Sequence, residues 1–281
     1  MTTTSAPPIG GFQEIDGRRI FVHRSGRGGP AVVFLPGAGA VGLDYFGVQQ
    51  GVSQFTTAVV YDRGGTGYSD PLRLPRTAAA VATELRELLR AQDIAAPYVL
   101  AAHSLGGFYA HRFSQLYPRD VAGLVWLDAL HRDWDEFMPS DLSLAATERT
   151  APDLEQLERM RPTLIETHTE LRADYPEQVR RALIDAKVSA EWLRAGIAER
   201  TALVALAREL QAGPGIPDVP VIALTVAGDR TSAGRTSMDA ALIGSVSHGE
   251  QRILTDTVHH RLCFDRPDAV VQAVRDVVDR A

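Results

Sequence analysis

Residues Tyr98-Val99-Leu100-Ala101-Ala102-His103-Ser104-Leu105-Gly106-Gly107 run an apolar strand straight into a serine flanked by small residues, and a helix-like segment follows. A serine on so sharp a strand-to-helix turn is forced into strained backbone geometry, which pushes its hydroxyl out of the sheet edge where a base can reach it. Ala102 and Gly106, two residues to either side, let strand and helix pass closely. The usual pattern is Gly-x-Ser-x-Gly; here alanine replaces the first glycine, filling the same space with less backbone freedom. Ser104 is the candidate nucleophile.

Around that turn the chain alternates. Gln13 to His23 reads as two strands about Asp16-Gly17, a two-residue hairpin turn. Ala31–Leu35, Thr57–Tyr61, Tyr98–Ala102 and Val121–Leu127 are short continuous apolar runs, the mark of strands buried on both faces. Thr77–Ala91 carries Val81, Leu85, Leu88 and Leu89 at helical spacing, and Leu105–Tyr117 is helix-like. Val219–Ala227 is the next strand, and Pro267–Arg280 a closing helix. Strands alternating with helices predict an α/β fold with a mostly parallel central sheet covered on both faces.

One segment breaks the alternation. From Asp133 to Ala212 the sequence is charged, helix-prone and punctuated by Pro139, Pro152, Pro162 and Pro176, ending at Gly213-Pro-Gly-Ile-Pro217. The expected organisation is a core over 1–132, an inserted helical cap over 133–212, and the rest of the core over 213–281. A cap there lies over the C-terminal ends of the strands, where open α/β sheets bind ligands. Trp134, Phe137, Trp192 and several leucines in it predict a partly apolar pocket.

Composition sets the outer bounds. The 281 residues, 45% of them hydrophobic and 23% charged, suit a large α/β domain with an insertion. A net charge of −6 with no basic run argues against nucleic acid or an anionic membrane as partner. Nothing approaches the ~20 apolar residues that span a bilayer, and the first residues have no basic or apolar leader pattern. A cytoplasmic location is expected. The single cysteine, Cys263, excludes an internal disulfide framework.

A serine hydroxyl needs a base to take its proton and a third group to orient that base. Val258-His259-His260-Arg261-Leu262-Cys263-Phe264-Asp265-Arg266-Pro267 is the place for the histidine. The acid is Asp128, in Leu124-Val-Trp-Leu-Asp128-Ala-Leu-His131, or Asp229, in Val226-Ala-Gly-Asp229-Arg. Both follow strands, and both can present a carboxylate to one histidine. The backbone N–H of Leu105, next to the nucleophile, is an expected oxyanion donor. His103 reads as a packing residue; His23, His111, His168 and His248 are isolated; His131 opens the cap segment near the expected site. No cluster has metal-ligand spacing. Gly37-Ala-Gly39-Ala-Val-Gly42 follows a strand and has Asp62 twenty residues beyond Gly42, the outline of a dinucleotide site. Pro36 interrupts that outline at the strand-to-turn junction.

Taken with Leu35-Pro36-Gly37-Ala38 and Tyr61-Asp-Arg-Gly-Gly-Thr-Gly-Tyr-Ser-Asp70, these motifs resemble the α/β-hydrolase superfamily over nearly the whole chain. The resemblance implies an α/β-hydrolase fold and a Ser-His-Asp triad without a cofactor. It selects His260 as base, seven residues before Pro267, with His259 as runner-up. It favours Asp128 as acid, with Asp229 the alternative, because Pro75-Arg-Thr, Pro97-Tyr-Val-Leu, Tyr117-Pro and Leu127-Asp-Ala-Leu-His follow one subgroup's order. It also adds the N–H of Ala38 as second oxyanion donor and reads Gly37–Gly42 as the oxyanion loop. The implied activity is cleavage of a carboxylester, thioester or lactone of a small, partly apolar substrate. Haloalkane dehalogenases and epoxide hydrolases use aspartate as nucleophile, so Ser104 argues against them. Carbon–carbon hydrolase, amidase, perhydrolase and hydroxynitrile lyase chemistry share the triad, and a non-catalytic ligand-binding member shares the fold.

Overall fold

Asp16 and Gly17 both take positive φ, +48° and +72°, as the two central residues of a hairpin turn must to match the twist of the strands they join. A computed structural model describes residues 6–281. The turn joins β1 (Gly11–Ile15) to β2 (Arg18–Ser25), with Ile15 opposite Arg18. Six more strands follow: β3 (Ala31–Leu35), β4 (Ala58–Tyr61), β5 (Tyr98–His103), β6 (Val121–Leu127), β7 (Val221–Val226) and β8 (Gly249–Leu254). The sheet runs β1-β2-β4-β3-β5-β6-β7-β8, antiparallel through β2 and β4 and parallel from β4 onward.

Every residue of β3, β4, β6 and β7 is buried, because helices cover both faces. Successive residues alternate between two cores. Leu35, Tyr61, Ala102 and Trp126 pack with α2 (Ala78–Ala91) and α3 (Gly106–Leu116); Phe34, Val60, Ala101 and Leu127 pack with α1 (Phe46–Val52) and α13 (Pro267–Arg280). Thr77 caps α2, its hydroxyl accepting from Ala80 N at 3.2 Å, a contact worth about 1 kcal/mol. The predicted strands, hairpin and closing helix are all present. The strand that sequence reading left out is β8. Its residues, Gly-Glu-Gln-Arg-Ile-Leu, are half exposed at the sheet edge, where polar side chains replace the apolar run and discourage edge-to-edge pairing.

Between β6 and β7 there are only helices: α4 (Trp134–Phe137), α5 (Leu144–Arg149), α6 (Leu154–Arg159), α7 (Arg161–Leu171), α8 (Glu177–Lys187), α9 (Ala190–Glu199) and α10 (Leu203–Gln211), with one short 3-10 turn. After β7 come α11 (Ser232–Gly244) and, beyond β8, the single turn α12 (Leu262–Asp265) that leads into α13. No helix is long and apolar enough to cross a membrane among the described residues. The chain leaves β3 for β4 on one side and returns to β5 on the other, so the strand order reverses where β3 and β5 lie side by side. Their C-terminal ends hold Pro36–Gly39 and Ser104.

Candidate active site

Ser104 has φ +50°, a left-handed conformation that costs a non-glycine residue about 1–2 kcal/mol. Two features hold it there. Its carbonyl accepts from Leu130 N at 2.8 Å and Gly107 N at 3.0 Å, and α3 packs so tightly against β3 that a Cβ at Gly106 would lie 2.1 Å from Leu35 O. Only glycine fits that position.

The loop after β3 approaches from the other side. Arg63 donates to Pro36 O at 2.7 Å and Gly37 O at 3.1 Å, and Arg200 donates to Ala38 O at 2.8 Å. Lys187 donates to Gly39 O at 3.2 Å, and the Glu199 carboxylate accepts from Gly39 N at 2.8 Å. Gly37 N donates to the Tyr45 hydroxyl at 3.2 Å and Ala40 N to Gly37 O. The N–H of Ala38 has no acceptor among the described residues, and neither has that of Leu105. Two uncommitted amides beside a serine are what a developing oxyanion requires.

Asp128 ends β6 with φ +47° and a fully buried side chain. One oxygen accepts from Val226 N at 2.9 Å. The other meets Arg235 Nη1 at 2.8 Å and His259 Nδ1 at 2.6 Å. The histidine that meets the acid is therefore His259, and the expectation of His260 is corrected. His259–Arg261 forms a 3-10 turn leading into α12, and at three residues per turn a one-residue shift swings a side chain about 120°. Counting back from Pro267 reached the neighbour on the wrong face. His260 lines the cavity without meeting Asp128; its pKa is lowered, first by burial and then by His259. Asp229 is more than half exposed and accepts from Thr231 N at 2.8 Å and Thr231 Oγ1 at 2.7 Å. Its link to the acid site is Arg235, whose Nη2 donates to it at 2.9 Å.

His103, expected to pack, also forms a link. Its Nε2 donates to His259 O at 3.1 Å and its ring stacks on His259 with centroids 4.9 Å apart. Burial, reinforced by His259, pushes its pKa down to about 3, so the ring is neutral and Nδ1 accepts from the Tyr45 hydroxyl at 2.8 Å. The Tyr45 oxygen in turn receives Gly37 N–H. One unbroken chain thus ties the loop after β3 to the His259 turn.

Ser104, Ala38, Arg200 and His259 line two adjoining cavities, of about 370 and 350 Å³, sizes suited to small molecules. The first extends toward Asp44, Arg172, Lys187 and Phe264; the second toward Leu130, Trp134, Leu144 and Leu203. Of the expected cap aromatics, Trp134 lines the second cavity, whereas Trp192 packs edge-on against Tyr68 at 4.9 Å. His131 lines neither; its Nδ1 accepts from Asp133 N at 3.3 Å. Asp62 does meet Gly42, accepting its N–H at 2.6 Å, and also accepts from Tyr68 N at 2.8 Å. It is buried and spent on backbone amides, and burial raises its pKa to about 7. No group of metal-binding side chains occurs among the described residues.

Sequence reading missed Tyr45, Arg200, Lys187 and Arg235. Charged residues in a helical cap read as solvent-facing, and the pairing of Glu199 with Arg63 across 136 residues leaves no local signal.

The sequence profile described as "Alpha/beta hydrolase family" matches residues 32–273. A curated relative, the uncharacterized protein YbdG of Bacillus subtilis, is 29% identical over 117 residues, covering 41% of this chain and 36% of that protein. The match thus spans little more than a third of that relative's length. The solved esterase of Exiguobacterium antarcticum superposes with a TM-score of 0.69 at 18% identity, covering 96% of this chain and 99% of that one. A thermophilic esterase from Thermogutta terrifontis superposes with a TM-score of 0.64 at 18% identity, over 95% and 96% of the two chains. At such identities the likeness is one of fold.

Proposed function

The chain belongs to the alpha/beta hydrolase family, and within it we propose a serine hydrolase that cleaves an ester-type bond of a small organic substrate through an acyl-enzyme. The observation that carries this reading is the 2.6 Å contact of Asp128 with His259, on a histidine lining the same two cavities as Ser104.

Ser104 Oγ attacks the acyl carbon while His259 Nε2 takes its proton. Asp128 fixes the tautomer at Nδ1 and stabilises the imidazolium as it forms. The Ala38 and Leu105 amides receive the oxyanion, a contribution of about 3–4 kcal/mol per donor in serine hydrolases. Collapse of the tetrahedral intermediate expels the alcohol, thiol or ring oxygen, which takes the proton from His259. Water then attacks the acyl-enzyme: its proton passes to His259 and on to Ser104 Oγ, and the carboxylic acid leaves. The two cavities meeting at Ser104 offer room for the acyl and the leaving-group sides of the bond.

The test is fluorophosphonate labelling read by intact mass, with a panel of chromogenic esters, on wild type and Ser104→Ala. A single adduct and turnover, both lost in Ser104→Ala, are expected. A folded protein with neither overturns the assignment.

A further inference from the structure

The first cavity carries an unbalanced charge. Arg172, Lys187 and Arg200 line it as cations, and Asp44 is its one carboxylate among the described residues. Asp44 is ionised: burial works against that, but Lys187 and Arg172 hold it well below the ordinary carboxylate range. His103 and His168 do not add charge or relieve it, since burial pushes both down to about 3. Glu199, next to Arg200 in the chain, is already engaged, accepting from Arg63 Nε at 3.0 Å and Nη2 at 2.5 Å and from Gly39 N at 2.8 Å. Cations enclosed without matching anions are costly.

The three cations are not equivalent. Arg172 is buried, with its guanidinium committed to Asp44 and His168 and its face against the Phe264 ring. Lys187 donates to Asp44 Oδ2 at 2.6 Å and Gly39 O at 3.2 Å, which leaves one ammonium hydrogen. Arg200 donates to Gly196 O at 2.6 Å and Ala38 O at 2.8 Å, which leaves three of its five N–H groups without an acceptor among the described residues. The Lys187 and Arg200 contacts fall on consecutive carbonyls, Gly39 and Ala38, so two cap cations flank the very peptide that follows the Ala38 amide. Carbonyl dipoles orient these cations but do not neutralise them.

We propose that Arg200 and Lys187 form a carboxylate-recognising subsite, so that the preferred substrates are esters bearing an acidic group a few bonds from the scissile bond. The inference rests on the reading of Ser104 as nucleophile, and it names the substrate class of that site. Planar Arg200 suits the carboxylate fork, and Lys187 adds a point charge at its side.

The experiment compares matched esters in low salt: 4-nitrophenyl hydrogen glutarate against 4-nitrophenyl pentanoate, and 4-acetoxybenzoate against 4-methylphenyl acetate. The two pairs place the carboxylate on the acyl and leaving-group sides. In at least one pair, kcat/KM is expected to favour the anion tenfold or more, with the ratio collapsing toward one in Arg200→Gln and Lys187→Met. Glutarate and succinate binding to Ser104→Ala, followed by calorimetry, provides a readout independent of turnover. It is expected to weaken at least tenfold when Arg200→Gln is added, in protein shown folded by its melt; Lys187→Met serves if that variant fails to fold. Ser104-dependent turnover with no anionic preference in either pair overturns the subsite and leaves the hydrolase reading standing. Dicarboxylate binding lost with Arg200→Gln, but no ester turnover, does the reverse. Absence of dicarboxylate binding to folded Ser104→Ala overturns the subsite.

Discussion

Arg235 Nη1 and His259 Nδ1 converge on the same oxygen of Asp128, at 2.8 and 2.6 Å. The carboxylate is thereby locked between a cation and the imidazole it orients, and the second guanidinium nitrogen reaches Asp229. Asp229 is thus joined to Asp128 by a bridge and is hydrogen-bonded to no histidine among the described residues. Asp128→Asn is expected to lower kcat by about 10³–10⁴, since an amide supports the wrong tautomer. Asp229→Asn is expected to change it less than threefold. Steady-state kinetics on the best ester of the panel separates the two, and equal losses would return Asp229 to candidacy.

The two adjacent histidines give a sharper contrast. His259→Ala removes the partner of Asp128 and should abolish both turnover and fluorophosphonate labelling. His260→Ala removes only a cavity wall, so its effect should fall on KM, by less than about tenfold, with labelling retained. The reverse pattern would reinstate the spacing argument over the geometry.

Tyr45 touches no reacting atom, yet its hydroxyl accepts from Gly37 and donates to His103. Tyr45→Phe keeps the ring and breaks the chain at both ends. The buried Nδ1 of His103 then loses its donor, at a cost of about 1–3 kcal/mol. The expected signature is a roughly tenfold fall in kcat with KM little changed, because the loop and the His259 turn lose their common tether. A merely structural tyrosine would lower the melting temperature and leave kcat intact.

Acid should loosen the fold through histidines kept neutral by burial. His111, on α3, is pushed down to about 3 by burial, with His131 contributing. The unfolded chain takes up this proton below about pH 6.5 and the folded chain does not, so stability falls as pH drops through that window and levels off near pH 3. At pH 5 the penalty is about 2 kcal/mol relative to pH 7.5. Urea unfolding of His111→Leu at both pH values should show the difference shrinking by about that amount. An unchanged difference would mean that His111 is protonated in the folded state.

Much of this was written locally in the chain. Continuous apolar runs announced β3 to β7, Asp16-Gly17 announced the hairpin, and the small residues around Ser104 announced the strained turn, because each is enforced by contacts within a few residues. β8 escaped because an edge strand has no apolar run to display. His259 escaped for a different reason: which of two adjacent residues faces Asp128 depends on where a helical turn begins, and a turn boundary leaves little trace in composition. Arg235 and the cap cations escaped because a charged side chain looks the same in sequence whether it is buried against a partner or bathed in water. Tertiary pairing decides that, and pairing across 136 residues, as for Arg63 and Glu199, is invisible to any local window.

Glu199, Arg200 and Lys187 all come from the segment inserted between β6 and β7, and between them they hold the loop after β3, Glu199 and Lys187 at Gly39 and Arg200 at Ala38. The insertion is for that reason not a removable accessory. Exchanging it for another family member's would remove these holds on the loop after β3, and a chimera that folds perfectly would still arrive with that loop unanchored. Engineering new selectivity into this protein is better done residue by residue along the cavity walls, with those three grips left in place.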